Sequence, residues 1–221
     1  MNPDFPIEPP DLQPDLAACR LRSDSTTTSF GGGDVIERAS ISGNAGHPLS
    51  SRGVRVFESR ITGGVFAGST LPGLRLTDCA IEHADLASAT WTDAGLTRVA
   101  CSDCRLSGFD ARGASLRDVC FRSCRAPDMF LTECRLMRVR FEQCELTGLD
   151  LTGAHIDSLA VRGCDARSLR VIGARIGLLD LRSSRVEGLM IDAMAIAGIV
   201  IDPLQAPAFA MSLGARVLDP D

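Results

Sequence analysis

Nine cysteines and three histidines are the residues of this chain best suited to hold a metal or attack a substrate. Cys101 and Cys104 form a Cys-x-x-Cys pair, but no second pair or histidine follows at zinc-site spacing. His47, His83 and His155 are scattered, with no His-Glu-x-x-His spacing and no triad order, so no metal and no catalytic group is expected. All 23 basic residues are arginine. Without lysine there is no Walker-type phosphate loop, no Schiff-base amine and no kinase-type nucleotide lysine. Gly31-Gly32-Gly33 lacks dinucleotide-fingerprint spacing and reads as a turn. No cofactor is implied.

The elements that must position these residues follow from a period of five. Every fifth residue from Val56 to Ile201 is apolar, thirty positions in all, against a background of 45%. Two residues before each lies a second inward series in which Ala84, Ala94, Cys104, Ala114, Cys124, Cys134, Cys144 and Cys164 are small. The other three positions hold mostly Asp, Arg, Ser, Thr and Gly. Five fits neither the 3.6-residue helix nor the two-residue strand repeat, but it fits a chain that turns a corner every five residues. Cys104, Cys124, Cys144 and Cys164 recur at twenty, so four steps complete a coil and these thiols stack on one side. From Val99 through Phe109, Val119, Met129 and Val139 to Ile199, a bulky residue occupies the small position at every tenth residue, which places the bulk on two opposite sides.

Ala84-Asp85-Leu86-Ala87-Ser88 resembles the motif of the pentapeptide-repeat family, with looser matches at Cys134-Arg135-Leu136, Cys144-Glu145-Leu146, Ala154-His155-Ile156 and Ala174-Arg175-Ile176. The resemblance covers about two-thirds of the chain and implies an all-β fold, the right-handed quadrilateral parallel β-helix. About seven coils at about 4.8 Å each make a rod about 35 Å long. Residues 1–15, with five prolines, read as a disordered or extended arm, and 16–53 as degenerate first coils that keep the phase at Cys19/Leu21 and Ala39/Ile41. Residues 54–201 form the regular solenoid. Residues 202–221 form a cap or dimer segment, with a short helix from Pro207 to Leu213 stopped by Gly214.

The cysteines at small inward positions behave as compact hydrophobes and are expected to be free thiols. A rod with one filled core has no cleft, so the chain reads as no enzyme but as an interaction or scaffold module whose protein partner the residues do not name. The best-known members of the resembled family confer fluoroquinolone resistance by mimicking DNA and binding gyrase or topoisomerase IV. That activity needs an acidic rod, whereas residues 54–201 hold eighteen Asp and Glu against eighteen Arg. DNA mimicry is therefore the second reading, and direct nucleic-acid binding is not expected. On the outer surface Arg122, Glu142, Arg162 and Arg182 form a stripe at coil spacing, readable as a solvated charge ladder or as an anion or partner patch. The last coil has few charges, so either the tail folds over it or a second copy docks there, with Met190, Val200, Phe209, Met211 and Leu213 as the contact residues. No apolar run approaches the roughly 18 residues of a membrane span, and Met1-Asn-Pro-Asp-Phe-Pro lacks signal-peptide features, which places the chain in the cytoplasm.

Overall fold

Parallel pairing at an offset of twenty residues organises the chain: Arg75 faces Gly95, Gly95 faces Ser115 and Ser115 faces Arg135. The computed structural model describes Pro6 and residues 17–20, 32–42 and 48–217. Within these the twenty-residue register runs from Val35 opposite Arg55 to Asp180 opposite Val200, a solenoid of about eight turns. Residues 35–54 supply the turn that precedes the seven regular coils. There Ser51 stands where the period calls for a large apolar residue.

Each coil has four sides, named here from the coil 94–113: side one is 94–98, side two 99–103, side three 104–108 and side four 109–113, with equivalents every twenty residues. Sides one and two are strand-like. Arg75–Glu82, Gly95–Ser102, Ser115–Arg122 and Arg135–Glu142 each run across both of them. Sides three and four pair by isolated bridges, such as Asp85 to Arg105 and Thr90 to Asp110, because tight turns at Gly108 and Gly113 leave no length for a longer strand.

A left-handed residue at every fifth position makes the corners: Asp93, Arg98, Asp103, Gly108 and Gly113 all have φ between 51° and 71°. A residue with a side chain pays strain in that region, typically of order 1 kcal/mol. The offset is visible in the coil above, since the corner amide of Asp93 donates to the Arg112 carbonyl at 2.9 Å and that of Asp103 to Arg122 at 3.0 Å.

The inward positions form one continuous core. Leu106, Leu116, Leu136, Leu146 and Leu151 are buried, and so are the bulky Val99, Phe109, Val119, Met129 and Val139 on opposite sides two and four. Phe121 and Phe141, one coil apart, stack with ring centroids 4.7 Å apart, which matches the strand spacing.

At the N-terminal end the register differs from the sequence reading. Ala17, not Cys19, faces Ala39, and Cys19 faces Ile41. That offset is 22 residues, so the connection holds two residues more than one coil. The arm 1–15 lies outside the described residues apart from Pro6.

The C-terminal end departs from the repeat at a 3₁₀ turn, Ala193–Gly198, that replaces the side-one strand, followed by Pro203–Gln205 and the helix Ala206–Ser212. A final coil leaves carbonyls with no coil above to satisfy them. Here the Gln205 amide donates to the Leu181 and Ser184 carbonyls, each at 2.6 Å, and the Asp202 carboxylate accepts from the Ser183 amide at 2.8 Å. Gly214, at φ 84°, ends the helix where the sequence placed its stop.

Candidate interaction surfaces

Cys104, Cys124, Cys144 and Cys164 form a single line on side three, all buried. Their geometry explains the preference for small polarisable residues there: the Cys124 amide donates to Cys144 Sγ at 3.4 Å and the Cys144 amide to Cys164 Sγ at 3.3 Å. Where serine replaces cysteine the pattern persists, with the Cys164 amide donating to Ser184 Oγ at 3.1 Å and the Ala39 amide to Ser59 Oγ at 3.0 Å. The side chain of one coil thus satisfies a backbone donor of the coil below. The eight described cysteines are free, and burial pushes Cys79 up to about 11 and Cys134 up to about 12, which keeps both as thiols at neutral pH. Cys101 and Cys104 both point inward, and Cys104 donates to the Ser102 carbonyl at 3.2 Å. Among the described residues no group of three or more His, Cys, Asp or Glu is arranged to hold a metal.

The interior holds apolar voids of about 40 Å³ between Ile36 and Trp91 and about 10 Å³ between Leu86 and Leu131. A drug-sized ligand needs about 300 Å³ or more. Two hollows of that size, at Thr92–Glu133 on side four and beneath Leu204 and Ala208 at the cap, lie open on the surface.

The stripe Arg122, Glu142, Arg162 and Arg182 lies on side two, and carboxylates engage its arginines. Arg122 donates to Glu142 Oε2 at 2.9 Å, and Arg140 reaches the other oxygen of Glu142 at 3.2 Å. Arg162 and Arg182 both grip Asp180, at 2.5 and 2.9 Å. Asp180 occupies an outward position by the five-residue period, yet the two guanidinium groups cover it completely. Burial alone would raise its pKa. Hydrogen bonds from Arg182 and Arg162 outweigh that and hold the carboxyl below the ordinary aspartate value.

At the C-terminal end the cap uses Phe209, which is buried against the core, and Gln205. Val200 is half-buried, while Met190, Met211 and Leu213 are 45%, 62% and 44% exposed, so the last three lie outside the lid's buried contact. The seven-residue helix explains part of the split, since Phe209 and Met211, two apart, face opposite ways, while Leu213 lies past the helix end.

Sorting charges by side shows what a whole-rod count conceals. Between residues 54 and 201, side one and its corner carry Arg55, Arg75, Arg98, Arg117, Arg135, Arg138 and Arg175 against Glu58, Asp78, Asp118 and Asp157. Side four carries Arg112 and Arg170 against Asp93, Asp110, Glu133, Asp150 and Asp192. The neutral rod therefore has a basic side next to an acidic one. Along the corner that ends side one, Arg38 pairs with Glu58 at 2.9 Å, Arg98 with Asp78 at 2.5 Å and Arg138 with Asp118 at 2.5 Å, which leaves the basic excess in the outward rows of side one.

Comparison with curated protein sequences finds no match. Among solved structures, trypsin-treated QnrB1, a plasmid-mediated fluoroquinolone resistance protein, is 15% identical over 93% of this chain and 100% of that one, with a TM-score of 0.39. HetL, a pentapeptide repeat protein involved in heterocyst differentiation regulation from the cyanobacterium Nostoc sp. strain PCC 7120, is 14% identical over 73% of this chain and 90% of its own, with a TM-score of 0.36. The family model described as pentapeptide repeat region matches residues 94–171, the stretch in which the five-residue step and the twenty-residue register run without interruption. Residues 94–171, the middle of the solenoid, are thus a pentapeptide repeat region.

Proposed function

We propose that the rod is a non-catalytic protein-interaction module that works through its outer sides and its C-terminal end, in the cytoplasm, where free thiols persist. The observation that carries this reading is the filled core: among the described residues the apolar interior voids of about 40 and 10 Å³ are too small to bury a substrate, and the outer sides carry distinct charge.

DNA mimicry directed at a type II topoisomerase is the alternative, and side four is the acidic surface it would use. Three of its five carboxylates are engaged, Asp110 by Arg112 at 2.6 Å, Asp150 by Arg170 at 3.7 Å and Asp192 by the Gly173 amide at 2.6 Å. Asp93 and Glu133 remain, two coils or roughly 10 Å apart, which is no regular phosphate-like array. A gyrase supercoiling assay with and without a fluoroquinolone separates the two readings. The module reading predicts neither inhibition by the protein nor protection from the drug. Dose-dependent inhibition with protection would replace it by the mimic.

A second copy docking at the C-terminal end is supported by Leu204, 92% exposed, together with Met190, Met211 and Leu213. Light scattering that finds twice the 23.5 kDa chain mass would bear on that point directly.

A further inference from the structure

We propose that side one is a docking surface for an acidic segment of another protein. Four arginines occupy its first outward row, Arg55, Arg75, Arg135 and Arg175, and Arg117 stands beside them in the second row. All five are exposed, and among the described residues none has a carboxylate within ion-pair distance. The contrast with the rest of the rod is sharp. On the other three sides every arginine from Arg60 to Arg185 has a carboxylate within 4.0 Å, including the looser pairs Arg60–Glu82 at 3.7 Å and Arg105–Asp85 at 3.9 Å. Stacked coils make such pairing easy, since any acid one coil up or down is within reach. In the first row of side one the neighbours are instead Gly95, Ser115 and His155, so no carboxylate answers the charge, and Arg75 donates only to backbone carbonyls, that of Asp93 at 2.7 Å among them.

The lane runs from Arg55 to Arg175 over six coils, about 29 Å at strand spacing. It lies on a flat strand-like side, next to a second row in which Phe57, Thr77, Thr97 and Met137 are half-buried and Arg117 and Asp157 are exposed. Uncompensated positive charge along a low-dielectric wall raises the local concentration of anions and steers an acidic partner toward the rod.

Three features favour an acidic polypeptide over a nucleic acid. The side presents no fully exposed aromatic ring on which bases could stack, because Phe57 is half-buried. No helix or ribbon projects to enter a groove. The adjoining corner holds the exposed carboxylates Asp93 and Glu133, which would repel the phosphates of a duplex broad enough to overhang the lane but not a narrow extended peptide.

This assignment rests on the interaction-module reading and names its surface. The test uses the full-length protein and a fluorescein-labelled sixteen-residue peptide of alternating Glu and Ser, with a duplex DNA of matched charge as the second probe. One triple variant carries Arg117→Ser, Arg135→Ser and Arg175→Ser, which removes side chains that hold no partner. The control carries Arg105→Ser, Arg125→Ser and Arg185→Ser on side three, with the same change in net charge. Wild type should bind the peptide with an anisotropy rise that fades between about 50 and 500 mM salt. The side-one variant should bind at least about tenfold more weakly and the control within about twofold of wild type. Should the triple variant fold poorly, Arg135→Glu alone must still weaken binding severalfold.

No peptide binding, equal loss in both variants, or tighter binding of the duplex that is lost in the side-one variant would overturn the assignment. None of these touches the module reading, which falls instead to topoisomerase protection or to a demonstrated catalytic turnover.

Discussion

Leu146 and Leu136 are both buried leucines in the middle of the rod, yet their truncation should differ in cost. The column through Leu146 at coil spacing reads Leu106, Ala126, Leu146, Ala166, Val186, and all five are buried. Leu146 is thus the only large side chain over three successive coils of its column. The column through Leu136 has Leu116 below and Ile156 above, both large and buried. Losing the three carbons of a leucine removes about 2.4 kcal/mol of transfer free energy at about 0.8 per carbon. A further cost of about 24 cal/mol per Å³ applies to whatever cavity fails to collapse.

Around Leu136 the flanking side chains can lean into the gap, so Leu136→Ala should cost about 3 kcal/mol. Around Leu146 the neighbours are methyl groups that cannot reach, so Leu146→Ala should cost about 5 kcal/mol. Urea unfolding followed by far-UV circular dichroism gives both values. Because each coil touches only its neighbours, amide exchange should accelerate first between residues 126 and 166 in Leu146→Ala. Equal costs, or a larger cost at Leu136, would refute the reasoning that column neighbours set the cavity.

Cys79 and Cys134 should react slowly with a disulfide reagent at pH 8 in the native protein, since burial raises them to about 11 and about 12, and nine thiols should titrate after denaturation. Rapid reaction of most thiols before unfolding would contradict the buried column. Asp180→Asn should destabilise by about 2 kcal/mol at pH 7, because Arg162 and Arg182 lose their shared carboxylate. The folded-state pKa of Asp180 lies below its ordinary 3.8, so its contribution is complete above that value and disappears as pH falls through the folded value. The gap between variant and wild type should therefore close on acidification, and a gap independent of pH would argue against the pairing. Deleting residues 203–221 removes Gln205 and Phe209 and should produce aggregation and a lower unfolding midpoint. A soluble, equally stable monomer would show that the tail is no lid.

The core was legible because its repeat is one-dimensional: a five-residue step and a twenty-residue column name Leu146, Val139 and Cys144 as inward without any knowledge of long-range contacts. The same simplicity hid three things. Asp180 reads as outward by the period and is buried, with Arg162 and Arg182 bonded to its carboxylate. The register of residues 17–20 shifted because a connection of two extra residues leaves no periodic trace. Phe209, Met211 and Leu213 look equivalent as apolar tail residues, yet Met211 falls on the opposite helix face from Phe209 and Leu213 past the helix end. The basic lane of side one was within reach of the sequence. A count over the whole rod cancels it against side four, whereas sorting the charges by their place in the twenty-residue coil separates the two.

Interaction through particular sides is the claim most open to direct measurement. A photo-reactive residue placed in turn at Ser115, Ser102, Ser107 and Thr132, one on each side, can be activated in living cells, with each cross-linked protein then purified and recombined with the rod. Cross-links concentrated on one or two sides, with Ser115 strongest, and a complex that re-forms at fixed stoichiometry from the pure components are the result predicted here. Even labelling at all four positions, or a protein that fails to rebind once purified, would contradict it.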